Sequence, residues 1–239
     1  MWRHAWRKDW YNMKHVRSAP ADFKKRNRLV SLQREMSAVD DKPEWPAGVT
    51  VNDDLAGLDL PRALAEISPE RRAYALGYRL GRDRRLSVAA YLLLKAALEK
   101  GYGVAGNPRL GRGPNGKPFL PDHPDVHFNL SHCPKAAACA VADRPVGIDV
   151  EEIAPVDEEV ARRVLSEDER KAVSGSSEPD VVFARYWTRK EALVKLTGDG
   201  IDDGRLPTLL SEAHDVEFET VVNRRCGYVL TLATRSGLR

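Results

Sequence analysis

The sequence is short of cysteine, of long apolar runs and of net charge, and each shortage closes off a class of protein. Its 239 residues hold three cysteines, Cys133, Cys139 and Cys226. They form no CxxC pair and leave one thiol over in any disulfide scheme, which fits a reducing cytoplasm. No stretch approaches roughly 18 consecutive apolar residues, so a membrane span is not expected. The N-terminus is charged and lacks the continuous apolar segment of a secretory signal, so none is expected there. No self-similarity recurs at a fixed short period, which sets aside repeat architectures.

Net charge is only +3, from 38 Lys and Arg against 35 Asp and Glu, and it is unevenly placed. Residues 1–45 carry 11 Lys and Arg against 6 Asp and Glu, while the rest of the chain carries 27 against 29. The pI near 8.7 therefore belongs to the N-terminal segment. A nucleic-acid-binding role for the whole chain is not supported. Hydrophobic residues at 42% and charged residues at 31% suit a globular protein able to bury a core, as one large domain or two small ones.

Residues 1–46 show no sustained periodicity and run into "DDKPEWPAG", a proline- and glycine-marked boundary. They read as a basic extension, either peripheral and partly disordered or a docking arm. "VTVNDDL" then opens a short strand and turn. From Ser68, a good N-cap with Pro69 at the first helical position, the chain reads as helical. Leu86 to Leu98 form its apolar core stretch, and Gly101 ends it. "GRGPNGKPFLPDHP" reads as loop.

"VHFNLSHC" alternates like a strand, and "AAACAVADRPVGIDVEEI" like two strands joined at Asp143, Arg144 and Pro145. Ser166 and Glu169 form a capping box. A helix through "RYWTRKEALVKLTGDG" ends near Gly198, and "VEFETVV" with "GYVLTLAT" closes the chain as a strand pair. The order predicts an α+β class with two related halves, residues 47–145 and 146–239 after the extension.

Several polar groupings stand out within these elements. In "VGIDVE", Asp149 and Glu151 share one strand face, and two adjacent carboxylates repel unless a cation or proton intervenes. Hard oxygen donors of this kind suit Mg²⁺. On the following helix Trp187, Lys190, Glu191 and Lys195 recur at spacings of three and four. "FNLSH" puts Asn129 and Ser131 on one face and His132 at the strand end; neighbouring strand residues face opposite ways, so Ser131 and His132 are no nucleophile and base. "GPNGKPFL" is not a phosphate-binding P-loop, because Pro118 follows Lys117 where Ser or Thr is required. Taken singly, each has a plainer account: an edge strand, a surface ion pair, a structural histidine, a turn. The same holds for Arg71, Arg72, Arg79, Arg82, Arg84 and Arg85, a basic series that could line a phosphate or face solvent.

Taken in order, "GKPFL", "FNLSH", "GIDVE" and "WTRKEALVK" resemble the 4′-phosphopantetheinyl transferase superfamily, in its long, Sfp-type, monomeric branch. The resemblance spans roughly residues 49–235 and includes "ISPERRAYAL" and "GYVLTLA". It implies a pseudo-twofold pair of α+β halves with the active site between them. It implies transfer of the phosphopantetheine arm of coenzyme A to a serine of an apo acyl or peptidyl carrier protein, releasing adenosine 3′,5′-bisphosphate. Fatty-acid, polyketide and nonribosomal peptide carriers all offer such a serine.

Carried onto this chain, the resemblance makes Asp149, Glu151 and Glu191 the Mg²⁺ ligands, with Glu191 also the general base. Lys190 and Lys195 steady phosphate charge. Arg71, Arg85, Lys117, Pro118, Ser131 and His132 contact coenzyme A, with Arg71 at the 3′-phosphate and Arg85 preferred over Arg84. Tyr74 stands where some relatives have a second lysine. The carrier, an acidic helical protein, is expected to dock by Arg162, Arg163, Arg170 and Lys171, with Val164 and Leu165 as apolar contacts. A Mg²⁺-dependent phosphodiesterase would account for the carboxylates but not for "GKPFL" or "FNLSH". A carrier-binding module without catalysis would not need three carboxylates and two lysines.

Overall fold

Short polar residues set where the helices begin. Asp59 accepts from Arg62 N to open α1 (Leu60–Glu66), and Ser68 accepts from Arg71 N to open α2 (Pro69–Leu76). Each spends its side chain on an amide that the first turn leaves unpaired. The long helix expected from Ser68 onward is in fact two. Gly77 ends α2, and after a short turn α3 runs Gly81–Tyr102. Its stop is Gly103, at φ 67°, rather than Gly101: the left-handed residue is the one whose amide turns back to the Leu98 carbonyl.

The computed structural model describes residues 43–237, except 201 and 203. Strand β1 (Val49–Asn52) precedes α1 to α3. A small hairpin follows, β2 (Gly111–Arg112) with β3 (Pro118–Phe119), within the stretch expected to be loop alone. Then come β4 (His127–Cys133) and β5 (Ala136–Ala142), and the first sheet has the antiparallel order β1-β5-β4.

The second half repeats this plan. Strand β6 (Val146–Glu152) leads into α4 (Glu158–Val164), α5 (Glu167–Ser174) and α6 (Pro179–Thr197), followed by β7 (Val216–Asn223) and β8 (Tyr228–Arg235). Its antiparallel sheet has the order β6-β8-β7. In both halves a first strand, helices and a hairpin give a sheet with the last strand in the centre and one long helix against it. The expected pair of α+β halves is therefore present, and the halves cluster as one compact unit.

The sheets meet where β4 runs beside β6. No backbone ladder joins them; buried side chains do. Asn129 Oδ1 accepts from Ile148 N at 3.0 Å and Ser131 Oγ from Val150 N at 3.3 Å. Alternation thus gives β4 one polar face whose work is to satisfy the edge of β6. On the other side of β6, α6 lies so close that a Cβ on Gly147 would collide with the Ala192 carbonyl and the Leu196 amide. Glycine at that position lets helix and strand touch.

A core of Ala136, Ala138 and Ala140 with Val146, Ile148, Val150, Tyr228, Leu230 and Leu232 spans both sheets. Trp45, in the last residues of the expected extension, packs on this core and stacks on Tyr228, with ring centroids 6.1 Å apart. The rest of that extension, residues 1–42, lies outside the described residues.

Candidate active site

The site is built where β4, β6 and α6 come together. Asp149, on β6, is 3% exposed. Its Oδ1 accepts from Ser131 Oγ at 2.8 Å and from Lys195 Nζ at 2.6 Å, and Lys195 also donates to Ser131 Oγ at 3.0 Å. The Ser131 hydroxyl is thereby used up: one donated bond to Asp149, two accepted from Lys195 and Val150. Ser131 is a positioning residue for Asp149 rather than the coenzyme A contact expected of it. Asp149 Oδ2 is buried and has no hydrogen-bond partner.

Glu151 follows on the same face, half-buried, and the buried Trp187 indole donates to its Oε1 at 3.4 Å. Trp187 is thus both a core anchor and a support for a carboxylate. Glu191 lies one turn after Trp187 and one turn before Lys195, on the stripe of α6 that faces β6. Burial alone would lower the Lys195 ammonium, yet Asp149, Glu191 and Glu151 together hold it above its ordinary value. Of the three carboxylates, Asp149 is in direct contact with that ammonium. The three do not close on a common point: among the described residues no three His, Cys, Asp or Glu side chains stand close enough to hold a metal ion. Repulsion between like charges accounts for the open arrangement.

Two expected site residues, Lys190 and Arg85, turn elsewhere. Lys190 is wholly buried, its ammonium 2.8 Å from Glu169 Oε2 and donating to the Leu206 carbonyl at 2.7 Å. Glu169 is also the return arm of the α5 capping box, accepting from Ser166 N at 2.8 Å. Lys190 and Lys195 are five positions apart, which puts them on different sides of α6, so Lys190 is a structural tether. Arg85 donates to the Leu58 carbonyl and, at 3.5 Å, to that of Leu55, which binds the loop before α1. Arg84, the alternative, is held on the Tyr78 carbonyl at 2.8 Å.

Lys117 reaches across from the β2–β3 turn to the C-terminal end of α6, donating to the Leu196 carbonyl at 2.9 Å and the Val146 carbonyl at 3.4 Å. Asn115 donates to the Gly198 carbonyl at 3.0 Å beside it. A cation on the last free carbonyls of a helix is favourably placed, though burial lowers the Lys117 ammonium. Pro118 starts β3, half-buried and opposite Arg112. The ammonium of Lys117 thus serves the protein, and only the turn itself faces outward.

A second charged grouping lies along α2. The Arg71 guanidinium sits 4.7 Å from the Tyr74 ring and 5.1 Å from the Tyr91 ring, and donates to Ser87 O and Oγ. Its Nε is buried without a partner, and burial lowers its pKa. Arg112, from β2, lies 5.3 Å from the same Tyr74 ring. Tyr74 meets Tyr78 edge-on, and Tyr78 meets His132 edge-on at 6.2 Å. Two guanidinium groups therefore flank one tyrosine, and the chain of rings leads to His132. Sequence reading missed Arg112; its only signal was a place five residues before Lys117 in the same turn. The docking residues divide: Arg162, Arg163 and Lys171 are exposed, but Val164 and Leu165 are buried in the core.

The sequence model of the 4′-phosphopantetheinyl transferase superfamily matches residues 145–229, from β6 into β8. The 4′-phosphopantetheinyl transferase of Bacillus subtilis is 29% identical over 184 residues, 70% of this chain and 82% of that protein. The transferase Sfp of Bacillus subtilis strain 168 is 28% identical over 157 residues, 64% of this chain and 70% of its own length. The transferase AcpT of Salmonella typhi is 35% identical over 168 residues, 66% of this chain and 79% of its own length. The residues matched by the family model include Asp149, Glu151, Glu191 and Lys195, and with a relative 35% identical over 79% of its own length the chain belongs to the 4′-phosphopantetheinyl transferase superfamily, on its Sfp-type branch.

Proposed function

We propose that the chain transfers the phosphopantetheine arm of coenzyme A to a serine of an apo acyl or peptidyl carrier protein, as a holo-[acyl-carrier-protein] synthase, and releases adenosine 3′,5′-bisphosphate. The observation that carries the reading is Asp149: a buried carboxylate, fixed by Ser131 and Lys195, with its second oxygen open and two further carboxylates nearby. An orphaned hard oxygen in that setting fits Mg²⁺, held by Asp149, Glu151 and Glu191. When bound, the ion would neutralise pyrophosphate charge and make the attacked phosphorus more electrophilic.

The chain's own groups then have distinct tasks. Glu191 accepts the proton of the carrier serine hydroxyl as its oxygen bonds to the phosphorus nearer the pantetheine. The bridging P–O bond breaks, and its electron pair leaves on the adenosine bisphosphate. Lys195 stabilises the charge that develops there. Arg71, Arg112 and His132 take the 3′-phosphate, with Arg112 in place of the lysine that Tyr74 replaces. The turn at Gly116 to Pro118 lies beside the nucleotide. Arg162, Arg163 and Lys171 steer the acidic carrier. Among the described residues no helix is long and apolar enough to cross a membrane, and the three thiols are free; we place the enzyme in the cytoplasm, acting as a monomer on two halves, residues 47–145 and 146–239.

The test is incubation with coenzyme A, Mg²⁺ and a panel of apo-carriers. Modified carrier and adenosine 3′,5′-bisphosphate should appear in equal amounts by mass spectrometry. Cleavage of coenzyme A with no carrier modified would indicate a phosphodiesterase; carrier binding with neither product would indicate a docking module.

A further inference from the structure

Asp149 is the residue around which the charges of this site balance. Its Oδ1 holds two hydrogen bonds, from Lys195 and Ser131, while Oδ2 is buried with nothing to accept from. Glu151 stands two positions on along the strand face and Glu191 one turn before Lys195 on α6. A buried carboxylate without a counter-charge is costly, and three near one another more so. At Asp149 the Lys195 ammonium meets that need. It does so from a flexible four-carbon stem that is partly exposed, its side chain 27% accessible, so it can move off without dismantling the fold. Ser131 would remain to hold Asp149 Oδ1.

Resting on the metal site proposed above, we propose that Lys195 is the internal counter-cation of Asp149. It secures Asp149 when no divalent ion is bound, competes with such an ion for that carboxylate, and turns to the phosphates of the co-substrate once the ion is in place.

Direct binding of Mn²⁺, followed by electron paramagnetic resonance and calorimetry without coenzyme A, tests this. Lys195→Met should bind Mn²⁺ about tenfold more tightly than the wild type, because a competing charge is gone. Its unfolding temperature should be lower without Mn²⁺ and rise further on adding it. Lys195→Arg keeps the charge and should stay within about twofold of the wild-type Kd. Equal or weaker binding by folded Lys195→Met, or the same tightening in Lys195→Arg, overturns the proposal. Should Lys195→Met fold only with Mn²⁺, the proposal stands; should it fold in neither condition, the lysine is a structural support and the proposal falls. If the wild type and both variants bind no Mn²⁺, the metal reading fails and takes this inference with it.

Discussion

Lys190 and Glu169 form an ion pair of 2.8 Å in which the lysine is wholly buried and the carboxylate nearly so. Through it α6, the start of α5 and the segment at Leu206 are tied at one point. Removing one partner of a buried pair leaves the other uncompensated. Lys190→Met should therefore cost about 3 kcal/mol, lowering the unfolding temperature by about 10 °C in a calorimetric scan. Measured where the variant is folded, its KM for coenzyme A should stay within about twofold of the wild type. An unchanged unfolding temperature with a large rise in that KM would return Lys190 to the pocket.

Asp149 carries the metal reading. Asp149→Asn keeps the shape of the side chain and its contact with Ser131 but removes the charge that Lys195 and a divalent ion both require. Transfer should fall about a hundredfold or more, with the unfolding temperature moved by only a few degrees. Chelation of divalent ions should silence the wild type, and added Mg²⁺ should restore it. Near-normal transfer by the folded variant would place the ion elsewhere.

The buried thiols should make stability fall at alkaline pH. Burial pushes the Cys133 thiol up to about 12, with Glu151 adding to it, and raises Cys139 as well. In the unfolded chain both thiols ionise from about pH 8.5. A raised folded pKa gives stability that is intact below the unfolded value and is lost as pH climbs towards the folded one, because only the unfolded state sheds the protons. Denaturant midpoints should drop from about pH 8.5 upward, and less steeply in Cys139→Ala. An equal slope in both would assign the loss to other groups. At pH 8, a thiol reagent should reach the half-buried Cys226 first.

Trp45 is bound to the core through Tyr228. Trp45→Ala should cost about 2 kcal/mol, less than a fully buried tryptophan because the ring is half-exposed. A chain starting at residue 43 should melt higher than one starting at 47. Equal melting would show the stack to be idle.

With Val164 and Leu165 in the core, docking at α4 rests on charge. Reversing Arg162 and Arg163 together should raise the KM for an acidic carrier about fivefold at low salt and leave the KM for coenzyme A alone. No change at low salt would move the docking surface to another face.

Local chemistry made much of this legible without coordinates. Ser68 with Pro69, and Ser166 with Glu169, marked helix starts because capping is decided by a few adjacent residues. Alternation exposed β4, β6 and β8, and it rightly set Asp149 and Glu151 on one face. It could not show that this face of β6 is covered at Asp149 and half-open at Glu151, since burial depends on α6 and β4 arriving from distant sequence. Nor could spacing say where Lys190 and Lys195 end up: both are lysines near Glu191, yet one meets Glu169 and the other Asp149.

The sequence by itself determined the α+β class, the family and the set of charged residues, because motif order, periodicity and caps are written over short distances. Tertiary structure decided which of those residues face one another. Ser131 became a support for Asp149, Lys117 a tie to the end of α6, Arg85 a brace for a loop, and Arg112 a neighbour of Arg71 across Tyr74. The physical reason is that a lysine or arginine side chain is long and its charge finds whichever carboxylate, carbonyl or ring the packing brings within reach. Only the meeting of two halves far apart in the chain settles which that is.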